Sequence, residues 1–124
     1  MKICITSQGK NLDSQIDPRF GRCSFFIIVD PESMEFEVIE NYNASSSGGA
    51  GIQSGQLVSE KDVNVVLTGN VGPNAFGVLN ASNIEIITGV SGVVKDAIEK
   101  YKNGDLKPID KANVKSHFGM RGGN

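Results

Sequence analysis

An uninterrupted apolar run, Phe-Phe-Ile-Ile-Val, occupies residues 25–29, and polar segments flank it on both sides. β-Branched and aromatic residues bounded by turn-forming residues are typical of β-strands. The run therefore predicts a buried strand, so the chain has to form a sheet. The fifteen glycines cluster beside this and other apolar runs, where they mark the boundaries between elements.

Five strands and three helices are predicted along the chain. The strands are predicted at residues 3–6, 25–29, 34–40, 63–67 and 84–87. One helix is predicted over residues 50–60, and a second begins near Pro73, whose missing N–H is tolerated in a first helical turn. Ser91 is expected to cap the third helix, which Asn103 and Gly104 end.

The order of these elements is β-β-β-α-β-α-β-α, which predicts an α/β fold with a mixed five-stranded sheet flanked by three helices. Short, right-handed connections favour the spatial strand order 3-2-1-4-5. In that order four polar segments meet at one edge of the sheet, which we call the rim: residues 7–23, 43–51, 68–74 and 88–92. Because α/β sheets bind ligands where their parallel strands end, and helix N-termini favour anions, the rim is predicted to hold a ligand site.

Length and charge restrict the class of protein. A chain of 124 residues is the size of one domain, and we expect a single cofactor-binding α/β domain at residues 1–106 with a flexible C-terminal tail at residues 107–124. The net charge of −2 gives no general attraction for nucleic acid or an anionic membrane, so any anion site is local. No apolar segment suits a signal peptide or a membrane span, which predicts a cytoplasmic protein.

Two arginines lie in the first rim segment, where Arg19 and Arg22 flank a Phe-Gly pair. The two side chains are suited to hold an anionic ligand through charge-assisted hydrogen bonds. The alternative is that one of them bonds local carbonyl groups, Asp13 or Asp17, and only shapes the loop.

Two further rim segments are glycine-rich loops that precede helices. The Ser-Ser-Ser-Gly-Gly stretch at residues 45–49 has the composition of an anion cradle, although it lacks the GxxxxGK[ST] spacing of a P-loop. A loop of this kind is also an ordinary connection. Together with the loop that carries Arg19 and Arg22, which we call the arginine loop, these segments supply the residues predicted to bind a cofactor: Arg19, Phe20, Gly21, Arg22, Ser47, Gly48, Gly49, Gly69, Asn70, Gly72 and Asn74.

Cysteine and histidine are the candidate metal ligands. A reducing cytosol argues against a disulfide between Cys4 and Cys23, and no spacing typical of a zinc site is present. Cys23 begins the second strand, where we expect the arginines to lower its pKa and favour a metal-ligating thiolate; the alternative is a small, half-buried residue. Cys4 is predicted to lie in the core. His117, in the tail, is the second candidate metal ligand, and a solvated histidine is the alternative.

The sequence offers little for catalysis. A hydrolytic triad needs a histidine, and the only one in the chain lies in the tail. The strand order resembles that of ribonuclease H-like domains, whose nuclease members carry acidic metal ligands on the first and fourth strands. Residues 2–6 and 63–67 contain no Asp or Glu, which excludes two-metal nuclease chemistry, and we expect the protein not to be an enzyme.

Four ordered motifs resemble the dinitrogenase iron-molybdenum cofactor biosynthesis family over about residues 2–101. They are Asp-Pro-Arg-Phe-Gly-Arg at residues 17–22, the Phe-Phe-Ile-Ile-Val-Asp strand, Gly-Ala-Gly-Ile-Gln at residues 49–53, and the stretch from Thr68 to Phe76. The resemblance implies a ribonuclease H-like fold and a protein that binds or carries an iron–sulfur or iron–molybdenum cluster. Its partners would be the metallocluster or its precursor and the proteins that donate and accept it, rather than nucleic acid or a membrane.

One position departs from the family pattern. The nitrogenase carriers typically have histidine before the Phe-Gly motif, whereas this chain has Arg19, whose guanidinium does not normally ligate metals. The resemblance therefore leaves Cys23 as the best remaining metal ligand, with Arg19 and Arg22 balancing the negative charge of a cluster. The leading hypothesis is a non-catalytic cluster carrier. The alternative is a small-anion or nucleotide-binding regulatory module, which the arginines and the glycine-rich loops before helices also suit.

Overall fold

The computed structural model describes residues 1–44 and 49–109. Within these ranges the strands are β1 (Ile3–Ser7), β2 (Phe25–Val29), β3 (Phe36–Glu40), β4 (Val65–Leu67) and β5 (Glu85–Ile87). The helices are α1 (Ala50–Ser59), α2 (Pro73–Ala81) and α3 (Val94–Lys102). The elements follow one another in the predicted order.

The strands form one mixed sheet in the order β3-β2-β1-β4-β5. β2 pairs antiparallel with β1 and with β3, whereas β4 pairs parallel with β1 and with β5. In the central strand β1, Cys4 lies opposite Ile28 on one side and Val66 on the other. The α/β class, the strand order and the three helices are therefore confirmed, and the ribonuclease H-like label stays a prediction.

Helices cover both faces of the sheet, which explains why β2 is apolar at every position. Phe26 lies in a core cluster with Val58 of α1 and Leu79 of α2. The next residue, Ile27, lies in a second cluster with Ile98 of α3. Because successive side chains of a strand point to opposite faces, a strand between two helical layers needs apolar residues throughout.

Local turns set two of the element boundaries. β3 begins at Phe36 rather than at residue 34, because Met34 donates its N–H to the Asp30 carbonyl at 2.8 Å and has a left-handed backbone with φ 64°. That turn ends the extended pairing of the hairpin. At the end of α3, Asn103 is the C-cap and Gly104 has φ 77°, as the predicted stop signal requires.

The predicted cap of α3 is wrong. The N-cap is Val93 rather than Ser91. The N–H of Val94 donates to the carbonyl of Ser14 at 2.9 Å, so the loop after β1 supplies an acceptor for the first turn. A tertiary contact between two loops at the rim therefore replaces the local cap that the sequence suggested.

Past α3 the chain returns to the edge of the sheet. The N–H of Ile109 donates to the carbonyl of Ile86 in β5 at 2.8 Å, and its side chain packs against the core cluster of α1 and α2. Residues 110–124, which include His117, lie outside the described residues, and the division between a domain at 1–106 and a tail at 107–124 stays a prediction. Within the described part of the chain, no helix has the length and apolar content needed to cross a membrane.

Candidate functional site

A cavity of about 430 Å³ opens at the rim, and we call it the rim pocket. It lies between the loop before β2, the start of α1 and the start of α2. The lining residues are Arg19, Phe20, Gly21, Arg22, Gly49, Ala50, Gly51, Asn70, Gly72, Pro73, Asn74 and Ala75. Three rim segments that are far apart in sequence are thus brought together, and their role in binding stays a prediction.

Among the described residues, one predicted binding residue, Gly69, does not line the pocket. Gly69 packs against Pro18 instead, because an added Cβ would lie 2.7 Å from the Cα of Pro18. Its small size lets the loop after β4 approach the arginine loop closely. Ser47 and Gly48 lie outside the described residues.

Backbone hydrogen bonds join the arginine loop to the loop after β4. The N–H of Asn70 donates to the carbonyl of Pro18 at 2.7 Å, and the N–H of Phe20 donates back to the carbonyl of Asn70 at 3.2 Å. These bonds form an isolated parallel bridge between Arg19 and Asn70, outside the named strands. The first wall of the pocket is therefore fixed by main-chain pairing.

The N-termini of two helices form the opposite wall. α1 has Gly49 as its N-cap, in a left-handed conformation with φ 75°, and α2 has Gly72. The carbonyl of Gly49 accepts the first helical hydrogen bond of α1, from the N–H of Gln53, and the carbonyl of Gly72 accepts the first of α2, from the N–H of Phe76. The backbone N–H groups between each N-cap and these donors therefore make no hydrogen bond within the helix. Both helix dipoles place their positive ends at the pocket, which favours an anionic ligand.

The charged side chains among the described lining residues are both cationic. The Nε of Arg19 lies 3.3 Å from Oδ1 of Asp17, a side chain only 3% exposed, while the Arg19 side chain itself is 62% exposed. The same Asp17 oxygen accepts the backbone N–H of Arg19 at 3.0 Å. Arg22 donates from Nη1 to the carbonyl of Ala44 at 2.9 Å. The loop-shaping contacts considered from the sequence are thus present at both arginines, while both also line the pocket.

Cys23 lies in the core, and its predicted position on the rim is wrong. Its side chain is completely buried, and the thiol donates to the carbonyl of Phe20 at 3.3 Å. Burial has the largest effect on the pKa of the Cys23 thiol and raises it, and the negative charge of Asp17 raises it further. Arg19 lowers the pKa, but its effect is the smallest of all the contributing groups. The predicted lowering of its pKa by the arginines is therefore also wrong, because the loss of solvent outweighs their charge.

Metal ligands are scarce in the described part of the chain. Cys4 is completely buried in the same core cluster, as predicted. No group of three or more His, Cys, Asp or Glu side chains in residues 1–44 and 49–109 is placed to hold a metal ion. Among its described lining residues, the rim pocket offers cationic groups and N–H donors instead of thiolates or imidazoles.

Two buried polar residues beside the pocket were missed by the sequence reasoning. Asn41 follows β3 and is 5% exposed, and Ser54 in α1 is completely buried. In the sequence, an asparagine at the end of a strand is typical of a turn and a serine in a helix is typical of an exposed face, so neither residue type gave a signal. Among the pocket-lining residues that were missed, Gly51 had a usable signal, because it lies in a Gly-Ala-Gly stretch at the start of a helix.

Comparison with known proteins identifies similar chains. The sequence model of a family described as dinitrogenase iron-molybdenum cofactor matches residues 1–104. An uncharacterised protein of Methanocaldococcus jannaschii is 29% identical over 101 residues, which cover 79% of this chain and 86% of that protein.

Solved structures show the same fold. The apo form of the orange protein from Desulfovibrio gigas matches with a TM-score of 0.87 and 35% identity, over 90% of this chain and 95% of that chain. A proposed NifB protein from Thermotoga matches with a TM-score of 0.76 and 36% identity, over 86% of this chain and 91% of that chain.

Proposed function

The chain belongs to the dinitrogenase iron-molybdenum cofactor family, and from this premise we propose that it binds and carries an anionic iron–sulfur or iron–molybdenum metallocluster in the rim pocket. The cluster or its precursor is the cargo, and proteins that donate and accept it are the partners. The protein performs no catalysis of its own.

The observation that carries the proposal is the charge of the pocket. Arg19 and Arg22 are cationic, the starts of α1 and α2 add positive dipole ends, and no described lining residue is acidic. Hydrogen bonds to charged groups contribute about 1.5–3 kcal/mol each, and a helix end adds about 0.3–1 kcal/mol. Sulfide-rich clusters are anions, so the wall chemistry is complementary to such a cargo.

The cargo is held by charge and hydrogen bonds rather than by thiolate bonds to the described residues. The Cys23 thiol is in the core, and the raised pKa disfavours the thiolate that a metal would require. Salt-sensitive contacts also release more readily than metal–sulfur bonds, which suits a carrier that has to transfer its load. Whether His117 adds a ligand stays a prediction, since it lies outside the described residues.

Anaerobic loading tests the proposal. The purified chain is incubated with iron and sulfide, or with tetrathiomolybdate as a simple molybdenum–sulfur anion, and binding is followed by visible charge-transfer absorbance after desalting. Arg19→Ala and Arg22→Ala should each weaken binding by about 10-fold to 100-fold, as expected for loss of a charged hydrogen bond. Cys23→Ala should retain it. The matched control is Lys100→Ala, which removes an exposed cation from α3 on the far face of the sheet.

Two results would overturn the proposal. One is the absence of bound chromophore in the wild-type chain under all loading conditions. The other is loss of binding in Cys23→Ala with unchanged binding in both arginine variants, because it would assign the cargo to the thiol.

A second candidate function is supported by the scarcity of soft metal ligands among the described residues. Cationic side chains and helix N-termini suit a phosphate group as well as a cluster. The protein would then be a small-anion or nucleotide-binding regulatory module. A phosphate-bearing ligand should raise the melting temperature, with a shift that keeps growing with the logarithm of ligand concentration above its Kd, and Arg19→Ala should abolish the shift. A flat response to inorganic phosphate and nucleotides would remove this candidate.

A further inference from the structure

Two buried side chains, Asn41 and Ser54, connect three segments behind the rim pocket. Buried polar groups are costly unless they are hydrogen-bonded, so their partners indicate what they hold in place. Both bond the carbonyl of Gly21: Asn41 donates from Nδ2 at 3.1 Å, and Ser54 donates from Oγ at 3.1 Å. The same amide of Asn41 donates to the carbonyl of Cys23 at 2.9 Å.

The serine contact is not the one that a helical serine ordinarily makes. A serine within a helix commonly bonds the carbonyl four residues earlier, as Ser59 of α1 does with Gly55 at 2.8 Å. Ser54 instead directs its hydroxyl outside the helix, to Gly21 and, at 3.4 Å, to Oδ1 of Asn41. Ser54 therefore links α1 to the arginine loop, whereas Ser59 has only a local bond of this kind.

The loop and the helix touch at glycines. A Cβ on Gly21 would lie 3.1 Å from the Cα and from the N of Gly51 in the first turn of α1. The hydrogen bonds to the Gly21 carbonyl thus act at the point of closest approach. They set the distance between the arginine loop and the N–H groups at the start of α1.

Asn41 also bonds to the turn whose backbone accepts a hydrogen bond from Arg22. Its Oδ1 accepts the N–H of Asn43 at 3.1 Å, and one residue later the carbonyl of Ala44 accepts Nη1 of Arg22 at 2.9 Å. The side chain of Asn41 therefore bonds to the loop that carries Arg22 and to the turn that holds its guanidinium. These contacts connect the pocket residue Arg22 to Asn41 through the turn at residues 41–44.

We propose that Asn41 and Ser54 are positioning residues, which hold Arg22 in register with the N-terminus of α1 so that both act on one anionic ligand. The proposal rests on the function proposed above for the rim pocket. Neither residue lines the pocket, so each acts through Arg22 and not by touching the ligand.

A double-mutant cycle tests the proposal with tetrathiomolybdate as the probe. Ser54→Ala should raise its Kd about tenfold, the effect expected for one lost hydrogen bond at the loop. In an Arg22→Ala background the same substitution should raise Kd less than about twofold, because a residue that acts through Arg22 has little left to position. Ser59→Ala, which removes a local hydrogen bond from the same helix, should leave Kd unchanged.

A second variant removes the amide donors. Asn41→Asp keeps the shape and the acceptor oxygen but replaces the group that bonds the carbonyls of Gly21 and Cys23. Asn43→Asp adds the same charge two residues away and keeps those bonds, so it serves as the control. Asn41→Asp should weaken the probe at least about fivefold more than Asn43→Asp does.

Hydrogen exchange separates this inference from the proposed function. In the unliganded protein, the amide of Phe20, which donates to Asn70, should exchange faster in Ser54→Ala than in the wild type, and at the wild-type rate in Ser59→Ala. That pattern supports the positioning role even if the wild-type chain binds no probe. Unchanged exchange in Ser54→Ala, or equal tenfold losses of affinity with and without Arg22, would overturn it.

Discussion

Replacing Gly21 by alanine should force the arginine loop away from α1. The added Cβ would lie 3.1 Å from the Cα and N of Gly51 and 3.4 Å from the carbonyl carbon of Ala50. All three are backbone atoms of the first helical turn, so no side-chain rotation relieves the contact. Either the loop or the start of the helix has to shift by a few tenths of an ångström.

The cost of that shift can be worked out in two ways. Inserting a methyl group into a well-packed contact costs about 1–3 kcal/mol. If the loop moves instead, it stretches the 3.1 Å bonds from Asn41 and Ser54 to the Gly21 carbonyl, each of which contributes about 0.5–1.5 kcal/mol. Both routes predict that the free energy of unfolding falls by about 1–3 kcal/mol.

Urea unfolding, followed by circular dichroism, measures the effect, and Gly77→Ala is the matched control. Gly77 lies within α2, and a Cβ there would meet nothing within 4 Å outside its own helix. That substitution should raise the free energy of unfolding by about 0.5–1 kcal/mol, because alanine favours the helix. If Gly21→Ala were as stable as the wild type and still bound tetrathiomolybdate, the close approach of the arginine loop to α1 would not affect the free energy of unfolding, and the prediction would be wrong.

Three further predictions follow from the same contacts. Gly69→Ala should lower the free energy of unfolding by more than Gly21→Ala does, since its Cβ would lie 2.7 Å from the Cα and 2.8 Å from the carbonyl oxygen of Pro18; equal urea midpoints for the two variants would contradict this. Asp17→Asn should destabilise the protein by about 1 kcal/mol or less, because its partner Arg19 is well exposed, and the difference measured by urea unfolding should shrink in 0.5 M salt. Because the pKa of Cys23 is raised in the folded state, its contribution to stability is complete below the ordinary thiol pKa of 9.0 and is lost as the pH rises above that value. The free energy of unfolding should therefore fall more steeply above pH 9 in the wild type than in Cys23→Ala. An equal fall in the two proteins would contradict the raised pKa of Cys23.

The sheet was predictable because its signals are local. The apolar run of β2, the alternating hairpin partner β3 and the glycine-bounded strands β4 and β5 each carry their own pattern, and connection rules leave few ways to order them. The gathering of the arginine loop with the starts of α1 and α2 followed from that order, without knowledge of any side-chain contact.

The side-chain environment at the rim was not predictable in the same way. Cys23 is two residues before β2, a position from which a side chain can face either the pocket or the core. In the structure it faces the core, while the carbonyls of Gly21 and Cys23 accept hydrogen bonds from Asn41, a residue far away in sequence. The arginines close to Cys23 in sequence suggested a thiolate. The pKa of Cys23 is determined mainly by burial, which depends on the whole fold.

The replacement of a histidine and the burial of a cysteine have the same consequence for the chemistry of the pocket. Arg19 stands where the nitrogenase carriers typically have histidine, and Cys23, the remaining thiol of the loop, lies in the core. In the described structure neither position therefore offers a metal ligand to the pocket: Arg19 provides a cation, and Cys23 packs in the core. Under the proposed function, we expect a cargo to be recognised by its overall negative charge and by hydrogen bonds from N–H donors to its outer atoms. Under the proposed function, we expect such a site to select against cations and to discriminate weakly among metals inside an anion of the right size.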